Sequence, residues 1–141
     1  QIAFFEYERK IHNQRQAGEL SVDEINQIWM ETQGEALGES VNLDPALMPY
    51  WSYISHFIHA PFYVYAYAFG DCLVNSLYSV YEQGHPDFAQ KYIDLLAAGG
   101  SKRHHELLAP FNLDARDPEF WQKGLNVIIN LIDEFETLVE K

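Results

Sequence analysis

Trp51-Ser-Tyr-Ile-Ser-His56-Phe-Ile-His59-Ala-Pro61-Phe-Tyr63-Val-Tyr65-Ala-Tyr67-Ala-Phe-Gly70 decides how the rest of the chain is read. It is apolar and aromatic, yet carries two histidines and four tyrosines, groups that need hydrogen-bond partners wherever they are buried. Pro61 divides it. The residues before the proline suit an irregular or extended segment. Those after it predict a long helix to about Gln83, with Pro61 in the first turn, where its missing N–H costs nothing. Phe62, Ala66, Phe69, Leu73, Leu77 and Val80 make a core stripe at helical spacing. Tyr65, Ala68, Cys72 and Ser79 lie on another face, small enough in part to let a second helix approach closely. His56 and His59 are three apart, but Ala60 and Pro61 speak against a regular metal-binding helix turn there.

Upstream, residues 2 to 16 read as a helix with Ile2, Phe5, Ile11 and Phe4 as its apolar positions, ended near Gly18. Ser21-Val-Asp-Glu24 is a capping box for a second helix to about Leu37, with Ile25, Ile28, Trp29 and Thr32 facing inward. Gly38 to Pro49 reads as a loop, and a short strand is possible near Tyr50 to Ile54. Downstream, a helix from Pro86 to Ala98 places Phe88, Tyr92, Leu95 and Leu96 inward and stops at Gly99-Gly100. Ser101 then caps a short helix bearing Leu107 and Leu108, and Asn112 suits a left-handed connector. Asp117-Pro118 starts a last helix to about Val139, burying Phe120, Trp121, Leu125, Ile128, Ile129, Ile132 and Phe135. His12 reads as solvated, His85 as a turn residue, and His104-His105 as a helix entry. The expected fold is all-α, with residues 1–141 as one helical domain or subdomain.

Nearly half of the 141 residues are apolar, which excludes a disordered chain. Nine basic and 21 acidic side chains give a formal charge of −12. Nucleic acid and anionic membrane surfaces need clustered cations, so neither is an expected partner. Cys72 is the single cysteine; it allows no internal disulfide and suits a reducing cytoplasm. No apolar run approaches the eighteen or so residues of a membrane helix.

The order Tyr-Trp, Ile-Ser-His-Phe, Pro-Phe-Tyr-Val-Tyr-x-Tyr-Ala-x-Gly resembles the C-terminal part of oligoendopeptidase F, a thimet-type zinc metalloendopeptidase. Phe4-Phe-Glu-Tyr-Glu-Arg-Lys-Ile-His12, Gly18 to Asn26, Gly99-Gly-Ser101 with Glu106-Leu-Leu108, Asp114, and Pro118-Glu-Phe-Trp121 agree in the same order. The resemblance implies zinc-dependent hydrolysis of short peptides, with zinc held by H-E-x-x-H and a further glutamate. All of those lie upstream of the matched region. The only His-Glu pair here, His105-Glu106, has Ala109 where the second histidine belongs. This chain is therefore expected to bind no zinc itself, to be inactive alone, and to depend on an upstream catalytic half. By the same resemblance, Tyr65 would donate to the tetrahedral oxyanion and His56 to the oxyanion or the substrate backbone. Tyr63, His59 and Tyr67 would contact substrate. A phenol stays protonated at neutral pH and donates without adding charge.

Helices made to pack on a missing half would expose apolar surface, so self-association is expected. Two other readings stay open on the residues alone: a stand-alone helical interaction module, and a small-molecule-binding domain using His56 or His59 as a ligand.

Overall fold

Ser21 opens the second helix through the reciprocal pair its spacing predicts. Its hydroxyl accepts from the Glu24 N–H at 3.3 Å, and the Glu24 carboxylate accepts from the Ser21 N–H at 2.7 Å. Ile28, Trp29 and Thr32 are thereby turned to the buried face. The computed structural model describes residues 1–139. Its helices are α1 (Ile2–Arg15), α2 (Val22–Leu37), α3 (His56–His59), α4 (Tyr65–Glu82), α5 (Phe88–Ala98), α6 (His104–Leu108) and α7 (Pro118–Val139). Short 3-10 helices cover Pro45–Tyr53, Gly99–Ser101 and Ala109–Phe111, and no strand occurs among the described residues. The fold is all-α, as expected. The chain divides into two compact units, Gln1–Ala68 and Phe69 onward.

In the first unit, Tyr7, Ile28 and Trp29 form the core, with Phe4, Ile11, Ile25, Trp51, Ile54 and Phe57 packed against them. The inward face of α1 is thus Phe4, Tyr7 and Ile11; Ile2 and Phe5, expected inside, are exposed. Tyr7 supplies the period that Phe5 was assigned, and burial raises its phenol pKa.

The span expected as loop and possible strand is instead 3-10 helix from Pro45 to Tyr53. Asp44 caps it, accepting from the Ala46 N–H at 2.8 Å, and Pro45 and Pro49 hold their φ in the helical range. Two indoles fasten it to α2. Trp29 Nε1 donates to the Leu47 carbonyl at 3.1 Å, and Trp51 Nε1 donates to Asn26 Oδ1 at 2.7 Å. The segment before Pro61 is likewise not extended. His56 and His59 share the single turn of α3, which ends at His59, with Ala60 as its C-cap just before Pro61. Pro61 itself lies in the turn after α3. Phe62 follows it with a left-handed φ of 64°, which keeps α4 from starting until Tyr65. Phe62 is exposed rather than the first member of the core stripe.

In the second unit, Leu77, Val80, Leu108, Phe111, Leu113 and Phe120 close one cluster, with Leu73, Phe88, Tyr92, Leu95 and Trp121 around it. Phe111 and Phe120 are essentially fully buried, worth roughly 1.5–3 kcal/mol each. The buried Ser76 hydroxyl donates to the Phe120 carbonyl at 2.7 Å. α7 meets α4 at Gly124 beside Cys72 and Ser76, so the small face expected of α4 does admit a helix there.

Asn112 is left-handed at φ 57°, as its residue type suggests. Ser101 caps nothing. It lies in the Gly99–Ser101 turn, and α6 opens at Arg103, whose N–H donates to the Glu106 carboxylate at 2.9 Å. Leu96 faces solvent, because Leu95 already fills the inward position beside it. Leu125, Ile128, Ile129, Ile132 and Phe135, expected to be buried, are exposed, since no described residue covers that side of α7 past Gly124. His85 is more than a turn residue: its Nε2 lies 3.0 Å from the Pro110 carbonyl oxygen and 3.0 Å from Lys91 Nζ.

Candidate functional site

Three of the aromatic polar side chains converge where α3 turns into α4. The His56 and Tyr63 rings stack at 5.4 Å and 10° between planes. Tyr67 stands edge-on to both, at 5.7 Å from His56 and 5.8 Å from Tyr63. Its hydroxyl lies 3.2 Å from His56 Nε2, donating there whenever that nitrogen carries no proton. Val64, only 1 % exposed, anchors the backbone between the two tyrosines.

Tyr65 is not part of the cluster. Residues two apart on a helix point to nearly opposite sides, about 200° around the axis, so Tyr65 and Tyr67 cannot share a face. The Tyr65 side chain is 51 % exposed, and its hydroxyl bonds to no other described residue. His59 is also exposed and outside the cluster. Of the five residues singled out in the sequence, the structure brings together His56, Tyr63 and Tyr67, and leaves Tyr65 and His59 apart.

Two residues to which the sequence reading gave no site role hold this turn from α1. Glu8 is buried at 4 % exposure, and its Oε1 accepts from the Phe62 N–H at 2.7 Å. His12, expected to be solvated, is half-buried. Its ring lies 4.4 Å from the Phe62 ring, and its Nε2 is 4.0 Å from Glu8 Oε1. The signal was present only as an acidic residue inside an aromatic helix, one turn before a histidine.

A zinc site needs three or four converging His, Cys or carboxylate ligands. No group of three or more such residues able to hold a metal ion occurs among the described residues. His56 and His59 share a helical turn without a third ligand, and His56 is engaged by Tyr67. The described residues do not fit a zinc site by themselves. No helix among those described is long and apolar enough to cross a membrane.

Comparison with known proteins gives these side chains a setting. The chain is 31% identical, over its whole length, to the plasmid oligoendopeptidase F of Lactococcus lactis subsp. cremoris, of which it covers 24%. It is 30% identical to the oligopeptidase PepF of Bacillus subtilis (strain 168), covering 21% of that protein. It is 27% identical to the group B oligopeptidase PepB of Streptococcus agalactiae, covering 24%. The chain thus spans about a quarter of the length of the curated relatives it matches. No solved structure matches it significantly. The model of peptidase family M3 matches residues 1–127, a span that includes both helices of the His56–Tyr67 turn and the α1 residues behind it. The chain belongs to peptidase family M3, alongside the oligoendopeptidases F.

Proposed function

We propose that this chain is the C-terminal part of a zinc-dependent oligopeptidase and supplies substrate-side groups to the hydrolysis of short peptides. The observation that carries the reading is the gathering of His56, Tyr63 and Tyr67 at one turn, beside the unengaged Tyr65 phenol, in a family M3 chain. Tyr65 is the donor to the oxyanion of the tetrahedral intermediate. It is exposed, has no partner among the described residues to give up first, and as a phenol can donate without adding charge. His56, oriented by the Tyr63 ring and the Tyr67 hydroxyl, donates to the oxyanion or to the substrate backbone. Tyr63, Tyr67 and His59 line the peptide. The metal and its general base belong to residues upstream of this chain, which acts as part of one helical catalytic domain in the cytoplasm.

The exposed apolar side of α7 supports this reading over a stand-alone module, because a self-sufficient module has no use for so much uncovered surface. The test is reconstitution. This chain, mixed or co-expressed with the upstream segment of its gene, should restore cleavage of a short fluorogenic peptide that neither piece cleaves alone. A chain that docks to that segment without restoring cleavage would contradict the reading.

A further inference from the structure

We propose that Glu8 is a positioning residue: through the Phe62 N–H it holds the α3–α4 turn in the conformation that brings Tyr63 and Tyr67 onto His56. Phe62 has a φ of 64°, in the left-handed region that a residue with a Cβ avoids unless its surroundings hold it there. The turn has no glycine to relieve the strain; its sequence is Ala60-Pro61-Phe62-Tyr63. Pro61 has no N–H to give, and the Phe62 N–H finds no backbone acceptor among the described residues. The Glu8 carboxylate, 2.7 Å away, is the acceptor it does find. Among the carboxylates of the described residues, Glu8 alone is buried.

Burial of a carboxylate is unfavourable unless it is hydrogen-bonded, so this placement implies a specific partner, and the partner is the strained turn. The Phe62 ring against His12 closes the same junction from the side-chain end. One residue later Tyr63 stacks on His56, and the Ala66 N–H donates to the Tyr63 carbonyl at 2.9 Å as α4 begins. Releasing Phe62 therefore releases the cluster. What the cluster serves rests on the proposed peptidase reading; that Glu8 holds it does not.

Glu8→Ala removes the acceptor, whereas Glu8→Gln keeps a side-chain oxygen at the same reach. In NMR spectra of this chain, Glu8→Ala should speed hydrogen exchange at the Phe62 amide at least about tenfold and abolish the ring-current shifts of Tyr63 on His56. The Tyr7 and Trp29 core resonances should stay in place. Glu8→Gln should leave all three signatures close to those of the wild type. If Glu8→Ala fails to fold, Glu8→Gln decides alone: a protected Phe62 amide with the stacking shifts intact supports the proposal. A folded variant of either kind would overturn it in one of two ways: Glu8→Ala with a wild-type turn, or Glu8→Gln with an intact core but a free turn. In the reconstituted peptidase, Glu8→Ala should lower kcat about tenfold more than Glu8→Gln, with KM little changed. Absence of any wild-type cleavage would count against the peptidase reading and leave the NMR result standing.

Discussion

A Cβ on Gly124 of α7 would fall 2.7 Å from the Cys72 carbonyl oxygen of α4 and 3.0 Å from the Ser76 hydroxyl. The first of these neighbours is helix backbone and cannot swing aside. Gly124→Ala gains about 1 kcal/mol of helix propensity, while forcing an extra methyl into this contact costs roughly 1–3 kcal/mol or more. We expect the clash to win and the variant to melt at lower temperature. Unchanged or raised stability in urea denaturation would show that α7 can slide away from Cys72.

The proposed oxyanion role separates Tyr65 from its neighbours. In the full-length enzyme, Tyr65→Phe should lower kcat by about 10²–10³, or roughly 3–4 kcal/mol, with KM little changed. Tyr67→Phe removes the bond to His56, a loss of about 1 kcal/mol that should appear mainly as a loosened histidine. Tyr63→Phe keeps the stacking ring and should act mainly on substrate binding. Steady-state kinetics of the three variants check the assignment. A kcat within about threefold of wild type in all of them would remove the phenols from the chemistry.

Trp121, Leu125, Ile128, Ile132, Phe135 and Val139 recur at alternating spacings of four and three, the period of a helix side made to be covered. Beyond Trp121 they are exposed. The isolated chain should therefore self-associate as its concentration rises. Ile128→Lys with Ile132→Lys should shift sedimentation toward monomer without loss of helix signal by circular dichroism. The same pair of changes should weaken docking to the upstream segment. A strictly monomeric wild type at high concentration would contradict this.

The capping box makes one acid-sensitive contribution. The Ser21 N–H, and after it the Ser21 hydroxyl, holds Glu24 below its ordinary value of 4.5. A value lowered by folding stabilises the native state above the ordinary value and ceases to do so as pH falls through the lowered one. Wild type should lose melting temperature over that acid range more steeply than Glu24→Gln, which has no charge to lose. Parallel pH profiles would show that the box adds nothing that depends on charge.

Local chemistry was legible in the sequence wherever one residue type decides the backbone. Ser21 and Glu24 marked the start of α2, Asn112 the left-handed connector, and Asp117 the start of α7, where its carboxylate accepts from the Glu119 N–H at 3.0 Å. The motif order around Pro61 was also enough to identify the family. What could not be read was set by distant partners. The 3-10 helix from Pro45 exists because two indoles fasten it to α2, and Phe62 is left-handed with a carboxylate from α1, 54 residues away in sequence, on its N–H. The face of α7 reads as buried because its pattern is that of a covered helix, although no described residue covers it. For the site, the sequence named the residues, while their grouping followed from the turn: it set Tyr67 on His56 and turned Tyr65 away.

The three indoles are divided unequally between the units: Trp29 and Trp51 belong to the first, and Trp121, donating to the Ala115 carbonyl at 3.0 Å, to the second. Each half of the molecule thus carries its own built-in optical reporter. Excited where only indole absorbs, a Trp121→Phe protein emits only from residues 1–68, and a protein lacking the other two tryptophans only from the region after Ala68. Comparing the two emission curves through a denaturation experiment would reveal whether the halves melt as one cooperative body or in succession, with no dye attached.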